Sequence, residues 1–497
     1  MTSTLPCSDP AVAQAHALFD AFRRDIRRKL ADGTLAASII GKGMVIDGPL
    51  GPQPLLYADY AASGRALREV EGFVMEHVLP VYANPHTHAS WCGRSINALR
   101  RAARAEVARF CGADADDAVI FAGSGATAGI QKLVRLFGAD QRDSRGRQAL
   151  VLLGPYEHHS NLLPWRESGA DLIELPEDAC GGPDMAALAK ALGAAQGRRI
   201  IAAFSAGSNV TGALTDVAQV SRMVQAAGGT VVWDYAGAGS YIPMTMRPAD
   251  DVHIDALVFS PHKFLGGPAS SGALVLRRDS VVLAKPSAPG GGTVSFVSPS
   301  GHDYLGDLAA REESGTPNAI GDIRTALAAI VRSCMIEAGL DLRAQHLCRE
   351  ALARWRANPR IEVLGRDMDA HLPIVSFRMR GENGALVHHQ LVTRILSDCF
   401  GIQARGGCAC AGPYVHRLLG IDEQQSRAIH QAIRLGAELD KPGFVRVNFS
   451  PLMSDAEAER LIASVEQVAS EAAALARHFT ANAATAVFEP VAASKAA

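Results

Sequence analysis

Between Leu55 and about Ile330 the chain alternates short, wholly apolar runs with segments of helical period, and few folds accept that alternation. The runs are "AVIFAG", "ALVLLG", "RIIAAFS", "TVVWDYA" and "DALVFS", and stretches such as "GIQKLVRLF" and "DVAQVSRMVQAAG" lie between them. A strand that is apolar on both faces must be covered on both, and strands separated by helices pair in parallel. The pattern predicts a large α/β domain over residues 55–332, with a mainly parallel sheet covered by helices. After it come the helical stretch "SCMIEAGLDLRAQHLCREALARW" and the strands "IEVLG", "PIVSFRM" and "VRVNF", which predict a smaller α+β domain over 333–477. Residues 1–54 read as a helical extension, with an amphipathic helix over roughly 11–31 and a Gly/Pro-rich linker. The Ala-rich tail 478–497 has no periodic pattern and reads as disordered.

In an open α/β sheet, ligands bind beyond the carboxyl ends of the strands. Five runs end there in chemically active residues. "AVIFAGSGATAGI" passes through Gly123, Gly125, Ala126 and Thr127 into a helix, which offers free N–H groups and a favourable dipole to an anion. "LLGPYEHHSN" ends in Glu157, His158, His159 and Asn161, and "AAFSAGSNVTG" ends in Ser208 and Asn209. "VVWDYAGAG" places Asp234 directly after apolar residues, where an unpaired carboxylate is costly. "LVFSPHK" ends in Ser260, His262 and Lys263. Taken singly, each has an ordinary structural explanation: a glycine turn, a hydrogen-bonded His pair, a surface lysine.

Together they fit one cofactor, pyridoxal phosphate. The lysine amine condenses with its aldehyde, the aspartate pairs with the ring nitrogen, and an imidazole covers the ring face. Desolvation of the lysine would make it a usable nucleophile and base.

Charge and cysteine usage narrow the remaining classes. With 49 basic and 51 acidic residues the net charge is −2 and no basic block stands out, which argues against nucleic acid as the main partner. No run of about 18 apolar residues exists to span a membrane, and "FRRDIRRKL" lacks the apolar core of a secretion signal. The nine cysteines are scattered, with only "CAC" at 408–410 closely spaced, as expected of reduced thiols in a cytoplasmic protein. A CxC pair alone also suits half of a metal site or plain packing. The nearest further ligands, Cys399 and His416, are irregularly spaced, so no metal is expected.

With "YADYAAS" (57–63), "EHHSNLLPW" (157–165), "SNVTG" (208–212), "SPHK" (260–263), "SGTPN" (314–318) and "RGGCACAGP" (405–413), the chain resembles class V, fold-type I pyridoxal-phosphate enzymes over roughly residues 55–475. The resemblance is nearest to the Suf-type cysteine desulfurases and to the amino-terminal part of molybdenum cofactor sulfurases. It implies that His158 stacks on the ring and shuttles a proton, that Asn209 lies beside the ring, that Asp234 pairs with the ring nitrogen and that Lys263 forms the Schiff base. It further implies that Gly125, Ala126, Thr127, Ser260 and His262 hold the phosphate. Thr316 matches a residue that reaches the neighbouring subunit's phosphate, which implies a homodimer with shared sites. Arg446 matches the arginine that clamps the substrate carboxylate, a task suited to a guanidinium fork, and Arg405 lies beside the substrate. Cys410 takes the place of the nucleophilic cysteine, with Arg405 and Arg446 as cations expected to favour its thiolate. Cys408 is then an extra thiol.

The activity implied is desulfuration of L-cysteine to L-alanine, with a persulfide on Cys410 passed to a sulfur acceptor. Two departures are visible: Ala126 stands where the desulfurases have threonine, and Gly237 where they have the glutamine that contacts the ring hydroxyl. Phosphate binding through backbone N–H groups is expected to survive the first. The second leaves transamination, selenocysteine lysis or another amino-acid lyase reaction as alternatives at the same site. A thiol-based metal or redox binder without amino-acid chemistry is the alternative of a different class.

Overall fold

The computed structural model describes residues 9–195, 197–367 and 371–491. It divides into two compact units. The first runs to Ile40 and continues over Ser63–Gly207 and Leu214–Gly339. The second comprises Gly41–Ala62, Ser208–Ala213 and the chain from Leu340.

The first unit is built on a seven-stranded sheet. Its strands are β1 (Asp117–Phe121), β2 (Leu150–Leu153), β3 (Asp171–Glu174), β4 (Ile200–Ser205), β5 (Thr230–Asp234), β6 (Ala256–Phe259) and β7 (Ala273–Arg277), in the order β1-β7-β6-β5-β4-β2-β3. Only β7 runs antiparallel to its neighbours. All five apolar runs read from the sequence are strands of this sheet, and each of β1, β2, β4 and β6 is buried at every position. The sequence reading missed β3, an edge strand whose residues are mostly exposed and so carry no continuous apolar signal. It also missed β7.

Helix α1 (Pro10–Ala31) starts at Asp9, whose side chain accepts from Ala11 N–H, and it buries Phe19, Phe22 and Ile26. Phe19 stacks on Phe73 at 5.3 Å, and Arg23 pairs with the buried Glu106 at 2.5 Å. This helix is therefore part of the first unit's core and not a separate extension. The rest of the expected 1–54 segment behaves differently: Val45–Gly48 and Gly51–Pro54 form an antiparallel hairpin in the second unit, in place of the predicted linker.

The expected boundary at 332/333 falls later, at Gly339/Leu340. Helix Ala319–Glu337 is buried as far as Met335, and the chain then turns at Gly339 with φ +69°, a left-handed conformation that glycine adopts without a Cβ clash. The single helix predicted across this point is thus two, the second spanning Leu340–Ala357.

The second unit carries five antiparallel strands: Ile361–Val363, Ile374–Arg380, Leu386–Val387, Arg405–Gly407 and Phe444–Asn448. Their apolar side chains pack with Trp355, Ile395, Leu461 and Val465 from the helices. The tail corrects another expectation. Phe479–Asn482 and Val487–Pro490 pair as a hairpin, with Phe479 buried and the Phe488 ring 5.2 Å from that of His388. Two aromatic anchors outweigh the alanine-rich composition there; residues 492–497, like Cys7, lie outside the described residues. No helix among the described residues is long and apolar enough to cross a membrane.

Candidate active site

In the first unit the carboxyl ends of β1, β2, β5 and β6 gather the predicted residues. β1 leads through Gly125 into the helix Ala126–Leu136. Gly125 sits at φ +83°, and a Cβ built there would lie 2.7 Å from Ser260 Oγ, so only glycine fits. The helix has no side-chain N-cap, and its first N–H, that of Ala126, donates to Ser260 Oγ at 2.9 Å. Thr127 Oγ1 and Ser160 Oγ are 2.7 Å apart, and His158 Nδ1 accepts from Ser160 N–H at 3.1 Å. In the neutral His158 ring the proton therefore sits on Nε2. Ser260 and the His262 imidazole thus lie against Gly125 at a helix N-terminus whose first turn carries Thr127, groups suited to seat a phosphate. Burial and the nearby Lys263 charge hold His262 below the usual imidazole range.

β5 ends on Asp234, which is buried. Its Oδ1 accepts from Ala236 N–H at 2.7 Å. Burial raises the carboxyl pKa, opposed by the Ala236 N–H and by Lys263. A buried carboxylate calls for a cationic or N–H donor beside it. Lys263 ends the short turn Pro261–Lys263 after β6, and its carbonyl accepts from Ser240 Oγ at 3.2 Å. Glu157 underpins the neighbouring strand end: its carboxyl takes Ser205 N–H, Ser205 Oγ and Asn161 Nδ2 at 2.6–2.8 Å. Burial pushes this carboxyl up to about 7, with the Asp234 charge adding to it. Thr316 lies exposed in the loop before the Asn318-capped helix, without a hydrogen bond to this cluster among the described residues.

The other predicted residues belong to the second unit. Arg446 and Arg405 face each other across an antiparallel ladder. Both reach Asp59: Arg446 Nη2 donates to Oδ1 at 3.0 Å and Arg405 Nε to Oδ2 at 2.9 Å. Asp59 is held in place by its neighbours, since Asn448 N–H donates to Ala58 O and Ala61 N–H to Asn448 Oδ1. The Arg446 guanidinium is buried, while Arg405 is half exposed. Arg446 Nη1 also donates to Asn209 O at 3.0 Å, and Asn209 Nδ2 donates to Ala409 O at 2.9 Å. Ala409 lies between Cys408 and Cys410, both exposed. Sequence reasoning quoted the "YADYAAS" motif but missed Asp59 as a member of the site. A carboxylate between two predicted ligand-binding arginines was its only signal, and that signal is spatial. Ala126 is buried, with its N–H turned to Ser260 where the resemblance has a threonine hydroxyl.

The model of the class-V aminotransferase family matches residues 56–461. The chain belongs to that family. A probable cysteine desulfurase of Vibrio cholerae serotype O1 is 28% identical over 418 residues, covering 83% of this chain and 93% of the relative. Cysteine desulfurase CsdA of Escherichia coli is 26% identical over 422 residues, with coverages of 83% and 93%. Among solved structures, the apo cysteine desulfurase of Thermococcus onnurineus NA1 aligns with a TM-score of 0.67 at 24% identity, covering 84% of this chain and 94% of that one. CsdA in its S-sulfonic acid form aligns equally, at 0.67 and 24%. These structures establish the fold as fold-type I, with its mainly parallel sheet. Class-V aminotransferases use pyridoxal phosphate, and the first unit's residues fit it. The glycine cradle at Ser260 suits the phosphate, and the buried Asp234 carboxylate suits a protonated ring nitrogen.

Proposed function

We propose that this class-V enzyme is a cysteine desulfurase, converting L-cysteine to L-alanine and leaving the sulfur on Cys410. The observation that carries the reading is an exposed Cys410 on a turn tied by Asn209, which in turn is tied to the buried Arg446. The names of the relatives in Vibrio cholerae and Escherichia coli support the same chemistry.

Pyridoxal phosphate, when bound, supplies the electron sink that lets the substrate Cα–H bond ionise. Ser260, Thr127, His262 and the Ala126–Leu136 N-terminus would hold its phosphate, and Asp234 would keep a proton on the ring nitrogen. Lys263 would hold the cofactor and move the proton at Cα, with His158 Nε2 as a second proton donor. Arg446, steadied by Asp59, would bind the substrate carboxylate through its guanidinium. The Cys410 thiolate attacks the substrate sulfur. A Cys410 Sγ–S bond forms, the substrate Cβ–S bond breaks, and its electron pair becomes the new C–H bond of alanine's methyl group. Atoms balance as enzyme thiol plus cysteine giving enzyme persulfide plus alanine.

The reading includes a homodimer in which Thr316 reaches the second chain's phosphate, a thiol-bearing sulfur-acceptor protein, and work in a reducing, cytoplasmic setting. Free thiols at all eight described cysteines support the last. Light scattering that gave a monomer for the active holoenzyme would remove the dimer from this account.

The test is the Cys410→Ala holoenzyme, assayed for alanine with L-cysteine and a thiol reductant. Loss of the attacking nucleophile is expected to slow alanine formation by at least about 100-fold. Unchanged alanine formation overturns the reading, and a keto acid in place of alanine would indicate transamination.

A further inference from the structure

Cys408 and Cys410 are the one closely spaced pair among the chain's nine cysteines, and both side chains are exposed. The backbone between them is folded back. Ala411 N–H donates to Cys408 O at 3.2 Å, closing a turn whose two central residues, Ala409 and Cys410, both have positive φ, +49° and +54°. Positive φ at both central positions is the signature of a type I′ turn. Such conformations are unfavourable for residues with a Cβ and persist only where surroundings impose them. The surroundings here are Asn209 Nδ2 on the Ala409 carbonyl and the fully buried Ala411, which opens the helix Gly412–Leu418. In a turn of this curvature, residues two apart have Cα atoms about 5.5 Å apart, inside the 4.4–6.8 Å span that a disulfide bridges. An extended CxC segment would spread the two further apart. The turn thus brings the backbone of Cys408 and Cys410 to a Cα separation that a disulfide can span. Of the other described cysteines, five are buried or half-buried, and Cys180 lies in the first unit.

We propose that Cys408 is a resolving thiol for the Cys410 persulfide; the proposal rests on the desulfurase reading above. The Cys408 thiolate attacks Cys410 Sγ. The Cys408 Sγ–Cys410 Sγ bond forms, the Cys410 Sγ–S bond breaks, and the outer sulfur leaves with the bonding pair as hydrosulfide. The sulfane sulfur is reduced by two electrons and the two cysteine sulfurs are oxidised to the disulfide. A dithiol reductant returns the pair to thiols by exchange, and exposed disulfides are the labile ones in such exchange. When an acceptor thiol takes the outer sulfur first, Cys408 stays silent. Without an acceptor, each chain discharges its sulfur once and then waits for the reductant.

The experiment is a single turnover by the anaerobic holoenzyme with one equivalent of L-cysteine and no reductant, following alanine, sulfide and intact chain mass. Wild type is expected to give one alanine and one sulfide per chain and to end lighter by about 2 Da, with the 408–410 pair oxidised. Cys408→Ser, an exposed and near-isosteric change, is expected to give the same alanine, no sulfide, and a chain heavier by about 32 Da. A wild-type chain that also ends heavier, with alanine but no sulfide, overturns the role of Cys408 and leaves the desulfurase reading intact. Absence of alanine from both proteins overturns both.

Discussion

Lys263→Ala, reconstituted with pyridoxal phosphate, is expected to form alanine from cysteine on the order of 10⁴-fold more slowly than wild type or worse. On the proposed reading Lys263 holds the cofactor covalently and carries the proton at Cα, and alanine can do neither. The loss should be visible before any turnover, because the near-ultraviolet to visible band of lysine-bound cofactor should be missing while the phosphate cradle still retains the molecule. Ser260, Thr127 and the Ala126 N–H are untouched by the substitution. Lys263 ends a three-residue turn and belongs to no strand, so far-ultraviolet circular dichroism should be unchanged. A variant that retained the bound band and a tenth of the activity would show that another amine serves the cofactor.

Asp234→Asn is the second large effect. Asparagine has nearly the same shape and keeps an oxygen for the Ala236 N–H, but it carries no charge to hold a proton on the ring nitrogen. Removal of one such electrostatic contact in a dry site costs roughly 10²–10³ in rate, and the upper figure is expected because the whole electron sink depends on that proton. Stability should move the other way. Burial penalises the Asp234 charge, so the neutral amide should leave the protein as stable as wild type or more so, in the pattern of sites that give up stability for activity. Denaturant unfolding of the cofactor-free protein reads the stability, and alanine formation reads the rate. Wild-type turnover in the variant would remove Asp234 from the reaction.

The sheet was legible because β1, β2, β4 and β6 are buried on both faces, and such strands announce themselves as unbroken apolar runs. The residues placed at their ends were legible for the same reason: a polar group directly after a buried strand must sit at the sheet's edge. What was not legible was set by distance or by exposure. Asp59 meets Arg405 across 346 residues of chain and Arg446 across 387, and no local pattern records such a meeting. β3 is exposed at an edge, the tail hairpin rests on two aromatics within alanine-rich sequence, and the break at Gly339 turns on a single φ angle. The assignment of Asn209 to the second unit was equally hidden, since its segment, Ser208–Ala213, interrupts the first unit for only a few residues.

The pair of guanidinium groups on Asp59 has a consequence for which amino acids can be accommodated. Two unit cations share one unit anion, so this corner carries a single positive charge in surplus. On the proposed reading one incoming carboxylate brings these three residues to neutrality, whereas a second carboxylate on the same ligand finds no further cation among them. If Arg446 takes the substrate carboxylate as proposed, amino acids with an uncharged side chain are expected to be favoured. Glutamate should compete with cysteine at least about tenfold more weakly than alanine does, the equivalent of about 1.4 kcal/mol; equal inhibition by the two would show that Asp59 does not set this balance.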